Sequence, residues 1–256
     1  MEIKNSQILF ILLISICIPL NLSAIELNTA AQDSAPKYYK SASNEMVGLC
    51  VDIIKAIERI DQSIKFNGYQ EFTPFKRLQL ELEKGQLDIF LGIKKTEKRK
   101  SKYKFIDIPL YQLNYVIAAR IDDNINIHNL DDIRALHEDG KILTVHGSAA
   151  SRFLKKQGGL LVGDGANSPL VLLKMLKHKR GRFAFYHELG LRDIINKEGF
   201  INEIKILPVS FLTYSHYAAF SKTVPDETRK KVKIALEKLI SSGELTKIYK
   251  KYYIQK

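Results

Sequence analysis

The chain has 256 residues, of which 45% are hydrophobic and 27% are charged, and this balance excludes a disordered protein. The formal net charge of +12 at pH 7 would suit nucleic acid, anionic lipid headgroups or an anionic small molecule, or it could simply be a solvated basic surface. Of the two cysteines, Cys17 lies in an N-terminal apolar stretch and Cys50 in an apolar helical pattern, so we expect no internal disulfide and a buried Cys50 thiol.

The first 24 residues have the pattern of an export signal. Lys4 gives a short positive region, residues 8–20 are apolar apart from Ser15 and Pro19, and Ala24 offers a small residue for cleavage. The apolar segment is short for a transmembrane span of about 20 residues, although an uncleaved anchor is the alternative. We therefore predict cleavage after Ala24 and a periplasmic protein, which disfavours nucleic acid as a partner.

Strand and helix patterns alternate along the first part of the mature chain. We predict strands at 25–31, 64–69, 87–92 and 111–121, and helices at 47–60 and 73–84. The second helix has Thr73 as its N-cap, Pro74 at its first position and Gly85 as its stop, and Thr96 begins a further short helix. The polar stretch that follows at 122–129 predicts a crossover.

A second alternating set follows the crossover. We predict strands at 142–145, 182–186 and 203–207, helices at 149–156, 168–177 and 188–196, a returning strand at 211–220, and a helix–Gly–helix at 225–253. This alternation predicts an α/β fold with sheets covered on both faces. One strand leads out and one leads back, so we predict two lobes, with residues 25–118 and 214–256 forming the first and residues 119–213 inserted as the second. The two connections would form a hinge, and the cleft between the lobes is the expected ligand site.

Several short segments, in chain order, carry recognisable motifs. They are 47–53 (VGLCVDI), 85–88 (GQLD), 92–99 (GIKKTEKR), 105–111 (FIDIPLY) and 243–252 (GELTKIYKKY). Together they resemble the motifs of the bacterial extracellular solute-binding proteins of family 3, the group that binds polar amino acids. The segment 73–77 (TPFKR), with Phe75 and Arg77, is further similar to a P-W-K-R variant of that family. The resemblance implies a two-lobed periplasmic binding protein-like fold (type II), each lobe a sheet flanked by helices, with two hinge strands.

Arg99 is the principal candidate for ligand binding. It follows a predicted buried strand and lies one turn into a short helix, where a guanidinium can bind a carboxylate through two hydrogen bonds. The resemblance implies that Arg99 binds the α-carboxylate of the ligand, within a motif that also contains Gly92, Lys94 and Thr96. From spacing alone, Arg99 could instead be a surface residue of a basic run.

The turn at Gly147, Ser148 and Ala149 is the candidate from the second lobe. A strand ends just before it and Ser148 is placed to cap the next helix, which makes an amide-rich anion site. The resemblance implies that this turn contacts the ligand. The alternative is purely structural, since every strand–turn–helix unit needs a turn residue and a cap.

An α-ammonium group would need an acidic partner, and Asp33 and Glu188 are both candidates. Asp33 could equally cap a turn, and Glu188 could be a favourable first-turn acid of a helix. His187, beside Glu188, is a weaker candidate for the ligand site. The sequence leaves the choice between the two acids open.

Some departures from the family motifs point to an acidic ligand. Residues 34–37 (SAPK) lack the aromatic residues of the family at this position, although Phe75 could supply a ring. Lys94 replaces a threonine that commonly contacts the ligand's amino group, and a lysine there repels a cation and attracts an anion. These changes favour an acidic or dicarboxylate ligand.

The sequence contains no catalytic, cofactor or metal pattern, because the six histidines are scattered and no phosphate loop is present. We therefore predict a monomeric binding protein, not an enzyme, with an ABC permease or a membrane sensor as its partner. The alternative is a cyclohexadienyl dehydratase-like enzyme with Glu188 or His187 as general acid. A third possibility is an orphan ligand-sensing protein.

Overall fold

The computed structural model describes residues 24–252, and residues 1–23 of the predicted export signal at 1–24 lie outside this part of the chain. Among the described residues, no helix combines the length and the apolar character that a membrane span requires.

The described chain is a mixed α/β structure. Its strands are β1 (Ile25–Asn28), β2 (Tyr39–Lys40), β3 (Met46–Val47), β4 (Ile64–Asn67), β5 (Ile89–Lys94), β6 (Lys104–Phe105), β7 (Tyr111–Arg120), β8 (Ile142–Val145), β9 (Val162–Ala166), β10 (Phe183–His187) and β11 (Ile204–Phe220). Its α-helices are α1 (Leu49–Ile60), α2 (Phe75–Lys84), α3 (Glu97–Lys100), α4 (Leu130–Arg134), α5 (Ala149–Gln157), α6 (Pro169–Lys177), α7 (Glu188–Lys197), α8 (Asp226–Ser241) and α9 (Glu244–Lys251). Short 3-10 turns lie at His137–Gly140 and Phe200–Asn202.

A long sheet connects two hydrophobic bodies. Its strand order is β5-β11-β7-β10-β8-β9, with β6 also paired to β11, while β1 pairs with β4 and β2 with β3 in small separate sheets. One core is built from residues 27–113 and 218–252, with Leu189 added, and two further clusters cover the opposite faces of the sheet formed by residues 115–207. The antiparallel strands β7 and β11 belong to both bodies. The predicted two-lobed α/β fold is therefore confirmed, and the lobe boundaries at 118/119 and 213/214 stay predictions.

The first body owes its core to amphipathic helices from both ends of the chain. The inward face of α1, including Cys50, is fully buried, and Cys50 is a free thiol as expected. The closing helices α8 and α9 bury a face against it, and the Tyr252 hydroxyl donates to Asp52 of α1 at 2.9 Å. This packing explains why segments 200 residues apart form one unit.

Besides the short elements β2, β3, β6 and α4, which were not predicted, three details differ from the sequence prediction. Thr73 does not cap α2, because the helix starts at Phe75, one residue later than predicted, with Pro74 in the N-cap position and no side-chain cap hydrogen bond. The strand β9 was not predicted, since two of its five residues are glycine, which disfavours strands. The two predicted strands at 203–207 and 211–220 are one strand, whose register shifts around Pro208, a residue that cannot donate to the ladder.

The buried face of α8 gives a direct test of this packing. Leu236 is fully buried and Ile234, on the same helix, is 42% exposed. Leu236→Ala should lower the free energy of unfolding by about 2–5 kcal/mol, because it removes buried methyl groups and leaves a cavity. Ile234→Ala is the matched control and should cost under about 1 kcal/mol. Urea unfolding measures both values, and equal costs would contradict the packing of α8.

Candidate functional site

A cleft of about 460 Å³ lies where the two bodies meet. Its walls come from the 32–37 loop, the start of α2, β5, α3, the strands β7, β10 and β11, and the start of α5. The lining residues are Gln32, Ser34, Lys37, Phe75, Gly92, Ile93, Lys94, Arg99, Leu113, Tyr115, Ser148, Ala149, Arg152, Tyr186, His187, Tyr214 and His216. The structure thus brings seven of the predicted site residues together: Phe75, Gly92, Lys94, Arg99, Ser148, Ala149 and His187.

Arg99 is held in place from two sides. Its Nη1 donates to the Lys94 carbonyl at 2.9 Å, and its guanidinium carbon lies 5.3 Å from the centre of the Phe75 ring. The Thr96 hydroxyl accepts from the Arg99 backbone N–H at 3.3 Å and so caps the short helix α3. Partial burial lowers the pKa of Arg99 from its ordinary value, but an arginine remains charged at neutral pH. The result is an oriented cation with donors left for a ligand.

The start of α5 faces the cleft from the second body. The Ser148 hydroxyl accepts from the Ser151 backbone N–H at 3.1 Å, as predicted for an N-cap. Arg152, one turn later, also lines the cleft, and it donates to the Gly147 carbonyl. Gly147 has a φ of +63° and makes the turn. The helix start and Arg152 together make this wall attractive to an anion.

Lys37 is a buried cation beneath the cleft, with 7% of its surface exposed. Its Nζ donates to Gln32 Oε1 at 2.6 Å and to the Gly92 carbonyl at 3.3 Å. Gly92, at a φ of +90°, leaves room for it, since a Cβ there would lie 2.8 Å from Lys37 Cδ and 2.9 Å from Cys50 Sγ. Burial, opposed in part by Cys50, lowers the pKa of Lys37 to about 8. Lys37 is therefore still mostly protonated at neutral pH.

Tyrosine and histidine rings form the remaining wall. The hydroxyls of Tyr115 and Tyr214 are 3.0 Å apart, and the Lys94 Nζ lies 4.3 Å from the centre of the Tyr214 ring. His187 caps α7 by accepting from the Gly190 N–H through Nδ1 at 2.9 Å. Burial, with a smaller effect of Lys37, lowers the pKa of His187 to about 3, and burial lowers that of His216 well below its ordinary value. Both histidines are neutral at physiological pH.

Five predicted site residues do not line this cleft: Asp33, Arg77, Thr96, Gly147 and Glu188. Asp33 is exposed. Arg77 forms an ion pair with Glu81 at 2.6 Å on the surface of α2. Glu188 pairs with Arg192 at 2.7 Å and accepts from the Asn114 side chain at 3.3 Å. Among the lining residues that the structure describes, none is Asp or Glu, whereas Lys37, Lys94, Arg99 and Arg152 are all cationic.

Several lining residues were missed by the sequence analysis: Gln32, Ser34, Lys37, Ile93, Leu113, Tyr115, Arg152, Tyr186, Tyr214 and His216. Arg152 could have been found, because it lies one helical turn after the predicted cap Ser148. Tyr115, Tyr214 and His216 reach the cleft through the pairing of β7 with β11, and no local pattern gives that register.

A second cavity, of about 490 Å³, lies elsewhere on the second body and is lined by residues of both charges. One pair of these charges is satisfied within the wall, since Arg182 donates to both carboxylate oxygens of Asp123 at 2.8 and 3.0 Å. The hydrogen bond from Arg182 lowers the pKa of Asp123. Within residues 24–252, no group of three or more His, Cys, Asp or Glu residues could hold a metal ion. The cationic cleft is therefore the candidate site.

The buried charge of Lys37 should appear in the pH dependence of stability. The pKa is about 8 in the folded protein and 10.5 in an unperturbed lysine, so the unfolded state binds more protons between these values. The free energy of unfolding of the wild type, relative to that of Lys37→Met, should therefore rise by about 3 kcal/mol across this window. Urea unfolding at several pH values measures this difference. Lys55→Met, which removes an exposed lysine of α1, should show no such rise, and a flat difference for Lys37→Met would contradict the buried charge.

Comparison with known proteins agrees with this architecture. The chain is 24% identical to a "Probable histidine-binding protein" of Neisseria gonorrhoeae. The identity is measured over 230 aligned residues, which make up 86% of this chain and 79% of that protein. Its fold is similar to the probable amino-acid ABC transporter extracellular-binding protein ytmK of Bacillus subtilis, with a TM-score of 0.75 and 19% identity over 90% of this chain and 98% of that chain. It is also similar to the L-cystine solute receptor of Neisseria gonorrhoeae in its unliganded open conformation, with a TM-score of 0.70 and 19% identity over 91% of this chain and 93% of that chain.

The family itself is shown by a match along nearly the whole sequence. The family model of the "Bacterial extracellular solute-binding proteins, family 3" matches residues 27–255, which include both walls of the cleft. The protein belongs to the bacterial extracellular solute-binding proteins of family 3.

Proposed function

We propose that this protein captures a small solute bearing a carboxylate, an amino acid or a related compound, in the cleft and presents it to an ABC-type importer. The orientation of Arg99 carries this proposal, because its guanidinium lines the cleft and is fixed by the Lys94 carbonyl and the Phe75 ring. The importer as a partner is supported by the structural similarity to a probable amino-acid ABC transporter extracellular-binding protein. The proposed location is the periplasm, after removal of residues 1–24, and the proposed state is a monomer.

Closure of the two lobes is the proposed mechanism. A solute bound to Arg99 on one side and to the start of α5 on the other would make more contacts in a shut cleft than in an open one. It would therefore shift the population towards the shut state. The proposed hinge is β7 with β11, which would join the first lobe (residues 25–118 and 214–256) to the second (residues 119–213). A membrane sensor in place of the importer would read the same closure, so that alternative changes the partner and not the site.

The role of Arg99 can be measured directly. A thermal-shift screen of amino acids, di-acids and small anions should identify a solute that raises the Tm, because a ligand of the native state alone stabilises it. Arg99→Ala should then weaken binding of that solute about 100-fold, since two charge-assisted hydrogen bonds are lost. Arg59→Ala is the matched control, because Arg59 is an exposed residue of α1 outside the cleft. Titration calorimetry gives both affinities, and wild-type affinity in Arg99→Ala would disprove the assignment.

The alternative of a cyclohexadienyl dehydratase-like enzyme requires a general acid in the cleft. His187 uses Nδ1 as an acceptor and has a pKa lowered to about 3, so it holds no extra proton to donate at neutral pH. Glu188 is paired with Arg192 and does not line the cleft. The geometry therefore favours binding without chemistry.

This alternative has a simple test. Incubation of the protein with prephenate should give no aromatic product above the spontaneous rate, because His187 is neutral and Glu188 is paired outside the cleft. The absorbance of the product measures the reaction, with heat-denatured protein as the blank. Turnover that saturates with prephenate would show that the protein is an enzyme.

A further inference from the structure

The cleft offers positive charge where an amino acid would need negative charge. Four cationic side chains line it, and none of the described lining residues is acidic. The candidate acid Glu188 is neutralised by Arg192 at 2.7 Å. An α-ammonium group entering this cleft would lose its hydration and meet only like charges, which is unfavourable.

Lys37 is the cation whose surroundings say most about the ligand. It is more than nine-tenths buried, and its acceptors, the Gln32 amide and the Gly92 carbonyl, are both neutral. Lys37 also interacts electrostatically with Arg99, which is cationic, and with His187 and His216, which are neutral. The Cys50 thiol is also neutral, because burial raises its pKa to about 11. A buried charge is costly unless it is paired, so an anionic ligand would supply the counter-charge that the described protein lacks.

The opposite wall is built for a second anionic group. The nine-residue helix α5 directs its first turn at the cleft, with Ser148 and Ala149 lining it. Arg152 lies beside that turn and adds a full positive charge. The positive charge therefore comes from two sides, which matches a ligand with an acidic group at each end.

We infer that the cleft selects a small dicarboxylate and rejects the α-amino acid of the same length, with Lys37 and Arg99 binding one carboxylate and the start of α5 with Arg152 binding the other. This inference rests on the proposed function and names its solute class. In this arrangement Lys37 determines specificity, since it adds a second cation to that of Arg99 in a cleft whose described lining has no acid to receive an ammonium group.

Matched pairs of solutes test the inference. In each pair the amino acid carries an α-ammonium group where the di-acid has a hydrogen. The pairs are succinate with aspartate, glutarate with glutamate, and adipate with α-aminoadipate. Titration calorimetry with the wild-type protein should show that the di-acid of the best-fitting pair binds about tenfold or more tighter than its amino acid. Neutral and basic amino acids and glycerol phosphate complete the panel.

Variants of Lys37 separate its role from that of the site as a whole. Lys37→Met should weaken dicarboxylate binding about 30-fold, because the positive charge that pairs with one carboxylate is removed. It should also reduce the ratio of the affinity for the di-acid to the affinity for its α-amino acid. Lys37→Gln keeps a polar side chain and should have the same effect if Lys37→Met does not fold. Lys55→Met, which removes an exposed lysine of α1, is the control for net charge and should bind like the wild type.

The outcomes distinguish this inference from the proposed function. Tighter binding of an amino acid than of its di-acid, or of glycerol phosphate than of every di-acid, would overturn the dicarboxylate assignment and leave solute capture standing. Wild-type affinity in both Lys37 variants would overturn the role of Lys37. If no member of the panel bound, the inference and the proposed capture of carboxylates would both fall.

Discussion

The antiparallel pairing of β7 with β11 is the constraint on which the rest of the molecule depends. It extends from Arg120 opposite Ile204 to Tyr111 opposite His216, so the same two strands enter both hydrophobic bodies. This register also brings the hydroxyls of Tyr115 and Tyr214 to within 3.0 Å, although the residues are 99 positions apart. The connection between the bodies and one wall of the cleft are therefore one structure. In the proposed closure, a contact made by a solute with this wall would act directly on the strands that connect the two bodies.

The buried charge in the wall of the cleft costs stability. A buried cation such as Lys37, whose partners are two neutral oxygens and the rings of Tyr38 and Phe90, lowers the free energy of unfolding, and hydrophobic packing elsewhere must offset this cost. The first body has that packing, because α1, α8 and α9 bury their apolar faces in a common core. The close packing around Lys37 also explains why residue 92 is a glycine, since any side chain there would collide with Lys37, Cys50 and Tyr111. The local chemistry is thus unfavourable by itself and is held in place by the surrounding fold.

Much of the fold could be predicted from the sequence because its signals are local. Amphipathic periodicity placed α1, α8 and α9, and caps such as Thr96 and Ser148 are where the sequence predicted them. The site was predicted only in part. Arg99 and Lys94 were predicted from the resemblance to the family motifs, and the start of α5 from its strand–turn–helix pattern together with that resemblance. Tyr115, Tyr214 and His216 depend instead on the register of distant strands. Lys37 was missed for another reason, since nothing in a surface-type sequence such as SAPK indicates that its lysine will be buried.

Cys50 lies directly under this site, and its sulfur is 4.0 Å from the Tyr111 hydroxyl. It is fully inaccessible to solvent, and very little of it is thiolate at neutral pH because its pKa is about 11. Alkylating reagents can therefore react with Cys50 only when the core around α1 opens transiently. The rate at which Cys50 is alkylated therefore measures local unfolding beneath the cleft and needs no engineered probe. A solute bound in the cleft would slow this rate.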